Sequence, residues 1–100
     1  MPYLSGSCLI IYMKPQFLSN EETPEKRKEE KQDFATEIGK HLRKIRESKN
    51  ISQEQLSIKA GYYHTYVNKI EMGKYSPSLH TIWRLSYTLG LSLEEFFKEF

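Results

Sequence analysis

One hundred residues, 38% of them hydrophobic, suffice for one small domain, and 28% charged side chains mark a water-facing chain. No apolar run approaches a membrane span: the longest, Cys8–Met13, is far too short, and it lacks the basic leader and cleavage site of a signal peptide. A single cysteine makes no internal disulfide, so a reducing cytoplasm is the expected compartment. The net charge of +2 hides an uneven spread: residues 34–93 carry nine Lys/Arg against four acids, which suits either a polyanionic partner or an ordinary solvated surface.

Residues 1–33 read as an N-terminal extension. Leu9 to Met13 has the composition of a short strand in need of a pairing partner, and Met13 offers a second sensible start beside Met1. Residues 21–33, EETPEKRKEEKQD, have no apolar side chain beyond Pro24 and read as a solvated helix or a tether, with Thr23-Pro24 as a helix start.

A domain is expected over residues 34–100. Phe34, Ile38, Leu42 and Ile45 recur at helical spacing, and Asn50 is a natural stop. Ser52 opens SQEQ, a capping box, and a short helix over 52–60 should turn Leu56 and Ala60 inward before Gly61 breaks it. A second short helix fits 63–72, with Tyr66, Val67 and Ile70 at helical spacing, ended by Gly73. After the loop KYSPS, Ser78 caps a fourth helix expected to bury Leu79, Ile82, Leu85, Ser86 and Leu89, while Trp83 packs beneath it or lies at a subunit contact. SLEE from Ser92 is another capping box, with Leu93, Phe96 and Phe97 behind it. The reading is all-α: five helices and no strand from residue 34 onward.

Two short helices joined through a glycine form the helix-turn-helix pattern. Such a pair barely holds together alone and needs flanking helices as a platform. Arg46, SQEQL, Gly61, YVNKIEMGK, PSL and LGLSLEEFF, in this order and spacing, resemble the Cro and lambda-repressor-like (XRE) helix-turn-helix family over about residues 34–97. HTYVNKIEMGKYSPSL is also similar to restriction–modification controller proteins, a branch of that family. The chain departs from the family at Tyr62, where a small aliphatic is usual, at Tyr63, often a Ser or Thr cap, and at Ser57, often alanine.

The resemblance implies a five-helix lambda-repressor-like domain that binds double-stranded DNA. It implies that Tyr63, His64, Thr65, Asn68 and Lys69 face base edges in the major groove. Ser52, Gln53, Tyr66, Lys74, Tyr75 and Ser76 would contact phosphates, and Arg46 and Glu71 would form an internal ion pair. The expected function is a small sequence-specific transcriptional regulator, a repressor or autoregulator, acting as a homodimer on half-sites about one helical turn apart. Phe96, Phe97 and Phe100 are the expected dimer surface. The alternative is an antitoxin or protein-interaction module whose DNA binding is secondary. His41, His64 and His80 fit no zinc spacing with Cys8, and there is no Gly-rich phosphate loop or nucleophile–base motif. No enzymatic activity, metal, cofactor, small-molecule ligand or membrane association is expected.

Overall fold

The computed structural model describes residues 23–98 and residue 100. The strand suggested for residues 9–13 and the question of Met1 against Met13 lie outside these residues. The described residues form five α-helices and no strand, an all-α, lambda-repressor-like arrangement: α1 Pro24–Ser48, α2 Gln53–Lys59, α3 Tyr66–Glu71, α4 Leu79–Thr88 and α5 Leu93–Phe97.

Local chemistry sets most of the boundaries. The Thr23 side chain accepts the Lys26 N–H, Pro24 takes the first helical position, and the residue after the last turn, Asn50, adopts a left-handed φ of 57°. α1 thus runs unbroken through the charged segment and across residues 33 and 34. Both expected capping boxes are formed, Ser52 with Gln55 on α2 and Ser92 with Glu95 on α5. Ser78 caps α4 by accepting the Thr81 N–H.

α1 buries Ala35, Ile38, Gly39, His41, Leu42 and Arg46, and it packs against α3. Gly39 makes that approach possible: a Cβ there would collide with the Ile70 carbonyl oxygen and lie 3.0 Å from that of Glu71. Ile38, Leu42, Leu56, Ala60, Val67, Ile70, Ile82, Leu85 and Phe96 form one core beneath the helix-turn-helix.

Two expectations about burial are corrected. Leu79 is exposed, because it lies with Trp83 and Tyr87 at intervals of four along the flank of α4, beside the buried stripe of Ile82, Leu85, Ser86 and Leu89. Trp83 stacks between His80 and Tyr87 on that outer flank. Phe96 and Phe100, expected at a dimer surface, are core residues of the single chain. His41 packs edge-on against both rings and donates from its ring nitrogen to the Phe96 carbonyl oxygen, while Phe34 covers Phe100. Phe97 is half-buried against the same cluster.

Candidate nucleic-acid interface

The turn between α2 and α3 is built around Gly61, at φ +88°, where a side chain would be strained. The Arg84 guanidinium closes over it, its Nε donating to the Ala60 carbonyl oxygen at the end of α2. Tyr62 stacks on Tyr66 with ring centroids 4.3 Å apart, so the first of the unusual tyrosines packs along the turn.

α3 begins at Tyr66, three residues later than the sequence pattern suggests. Tyr63, His64 and Thr65 form the turn leading into it. Thr65, at the N-cap position, makes no side-chain capping bond. The cap is supplied from another helix: the fully buried Ser57 hydroxyl accepts the Val67 N–H at 3.0 Å while donating to the Gln53 carbonyl oxygen at 2.8 Å. A serine where the family often has alanine therefore supplies the side-chain oxygen that Thr65 does not offer. Ser57→Ala should lower stability by about 1–2 kcal/mol, because it strands a buried N–H donor. An unchanged urea midpoint would remove this role.

A polar chain runs from the platform to the outer face of α3. Arg46 grips Glu71 with two nitrogens, Nε to Oε2 at 2.6 Å and Nη2 to Oε1 at 3.1 Å, and its Nη1 donates to the Ile51 carbonyl oxygen. Gln53 Nε2 donates to Glu71 Oε1 at 2.8 Å, and Asn68 Nδ2 donates to Gln53 Oε1 at 3.1 Å. The Gln53 side chain, expected on a phosphate, is thus engaged inward and orients Asn68. The Asn68 side chain keeps its amide oxygen and one amide N–H without a hydrogen bond to any described residue, the donor–acceptor pair that matches an adenine edge.

Lys69 does not project freely. Its Nζ lies 5.9 Å from the Tyr63 ring centroid and 5.7 Å from that of Tyr75. The two phenols share a 2.9 Å hydrogen bond, and Tyr66 leans on Tyr75. That bond pushes the Tyr63 phenol up to about 12, whereas Tyr75 is held below the usual tyrosine value by its bond to Tyr63, with the Lys69 charge adding to it. Deprotonation should therefore start at Tyr75 as pH rises. Tyr63→Phe, which removes the donor to the phenolate, should return that ionisation upward toward 10; an alkaline absorbance titration with no such move would contradict the assignment.

The remaining expected contacts lie around this cluster. His64, Lys74 and Ser76 are exposed, and Thr65 is half-buried. The Ser52 oxygen already accepts the Gln55 N–H, which leaves its hydroxyl hydrogen to donate outward. The sequence reading passed over Gly39, Ser57 as a cap, Arg84 and the Tyr63–Tyr75 pair. Only Gly39 carried a local signal, a glycine beside the apolar stripe of a helix.

Among the described residues no helix is long and apolar enough to cross a membrane, and no cluster of His, Cys, Asp and Glu could hold a metal ion. The helix-turn-helix family HTH_3 matches residues 42–96, more than half of the chain, and the chain belongs to that family. It is 39% identical over 61 residues to the HTH-type transcriptional regulator PuuR of Escherichia coli K12, covering 61% of this chain but 33% of that protein. It is 34% identical over 68 residues to control protein C.MunI of a Mycoplasma species, covering 67% of this chain and 92% of the relative. The immunity repressor of Bacillus phage phi105 is 32% identical over 56 residues, covering 56% of this chain and 39% of the repressor. No solved structure matches significantly.

Proposed function

We propose that the protein is a sequence-specific double-stranded DNA-binding transcriptional regulator that reads the major groove with residues 63–72. The observation that carries this reading is Asn68, half-buried on α3 and fixed by Gln53, with a side-chain amide acceptor and donor left for a base edge. The sequence match to transcriptional regulators and to a control protein supports the same reading. Tyr63, His64, Thr65 and Lys69 surround Asn68 as base-contacting groups, and Ser52, Tyr66, Lys74, Tyr75 and Ser76 frame them as backbone contacts. Gln53 serves by holding Asn68, with the N-terminal N–H groups of α2 facing the phosphate.

The regulator acts in the cytoplasm as a homodimer on paired half-sites, with residues 34–100 as the binding domain and 1–33 as its extension. Burial of Phe96 and Phe100 takes those two rings out of any dimer surface, so the dimer proposal rests on the half-site geometry of such domains. Repression or autoregulation, as in a controller protein, is the regulatory sense that the C.MunI and immunity-repressor matches favour.

Selection of bound sites from random duplex DNA tests the reading directly. A paired motif is expected, and recovery of no motif would overturn it. Asn68→Ala should cost about 1–3 kcal/mol of binding and relax preference at one base position only. A uniform loss across all sequences would instead make Asn68 a backbone anchor.

A further inference from the structure

Beside the candidate interface lies an open groove of about 670 Å³. One wall is the N-terminal third of α1, through Lys28, Lys31 and Gln32, and the other is the loop after α3, through Lys74, Tyr75 and Ser76. The α1 wall precedes residue 42, where the family match begins.

Along residues 24–33, where four basic and four acidic side chains balance, the helix separates the two groove lysines from most of the acids. At 3.6 residues per turn, Lys28, Lys31, Gln32 and Ala35 share the groove-lining face. Glu29, Glu30 and Asp33 fall on the opposite side, and Glu25 in the first turn lies between the two. Neither Lys28 nor Lys31 forms an ion pair with a described residue. The two walls are tied together by Gln32, whose Nε2 donates to the Gly73 carbonyl oxygen at 3.1 Å. The groove is therefore a fixed cationic channel lined with hydroxyl groups, and it is continuous through Tyr66 and Tyr75 with the proposed reading face.

We propose that this groove seats the phosphate backbone of the duplex beyond the base-read half-site, so that Lys28 and Lys31 lengthen the DNA contact past the helix-turn-helix. The occupant follows from charge complementarity and from the continuity of the groove with the loop proposed to meet the backbone. The proposal rests on the DNA-binding reading of α3. Phosphate contacts of this kind hold position without reading sequence.

The test uses the full chain and its selected duplex, made with long and with short flanks. Melting of the Lys28→Gln/Lys31→Gln double variant should match that of the wild type, since both side chains leave the core untouched. On the long duplex, the slope of log affinity against log salt should be shallower in the variant by about 1.8, two phosphates at about 0.9 each. Its ranking of base sequences should stay the same, and short flanks should abolish the difference between the proteins. Equal slopes on the long duplex, with steep salt dependence in both proteins, would overturn the groove assignment and leave the reading face standing. A changed ranking of sequences would also overturn it, by making the lysines readers. Salt-independent or absent wild-type binding would sink the groove and the DNA-binding reading together. Retention of an acidic peptide by the wild type but not the variant, with DNA slopes unchanged, would assign the groove to a protein partner instead.

Discussion

Glu71→Ala should lower the unfolding free energy by about 3–5 kcal/mol and weaken DNA binding beyond what the lost stability explains. The Glu71 side chain is 2% exposed and the Arg46 side chain 10% exposed. Removing the carboxylate leaves a guanidinium in a mostly dry site with only the Ile51 carbonyl oxygen and a distant contact to Glu47 at 3.8 Å. Breaking one side of a buried pair carries that cost because the partner charge stays desolvated. Gln53 loses its acceptor in the same step, and with it the constraint on Asn68. Replacing both charges, as in Arg46→Met/Glu71→Met, should recover much of the stability, since no orphaned charge remains. Affinity should not recover with it, because Gln53 is still unanchored. Denaturant unfolding beside binding measurements separates the two effects, and near-wild-type melting of Glu71→Ala would refute the account.

Gly39→Ala should be nearly as damaging, at about 3 kcal/mol. The new methyl would meet backbone atoms only: the Ile70 and Glu71 carbonyl oxygens and, at 3.1 Å, the Glu71 Cα. No rotamer change relieves contacts with main-chain atoms, so α1 and α3 must separate, at or beyond the top of the usual overpacking range. The better helix propensity of alanine, about 1 kcal/mol, offsets only part of this. The displaced element is α3 itself, so affinity should fall even at temperatures where the variant is fully folded. Calorimetric melting together with affinity well below the transition checks both parts, and a wild-type melting temperature would mean that the helices sit further apart.

These two positions show what a sequence makes legible and what it hides. The starts of α1, α2, α4 and α5 could be read because each cap joins residues three apart. The start of α3 could not, since its cap is ten residues back on a different helix. The sequence marked Phe96, Phe97 and Phe100 as one apolar cluster but carried no information about what covers it; on α1, His41 packs on Phe96 and Phe100, and Phe34 on Phe100. Leu79 sat one flank away from the buried stripe, a difference too small for spacing alone to resolve. Gly39 went unremarked because the atoms it makes room for lie more than thirty residues away. The tyrosines were the least predictable part. Tyr62 stacks while Tyr63 bonds to Tyr75, and the latter pairing depends on a loop beyond the end of α3.

The Ser57 hydroxyl also limits how far the reading segment can be treated as a transferable part. Residues 61–72 look like a self-contained cassette, yet the acceptor for the Val67 N–H resides in α2. Grafted onto a related scaffold with alanine at that position, the cassette would arrive without its cap and begin to fray at the end proposed to face the bases. Position 57 would have to be exchanged along with it.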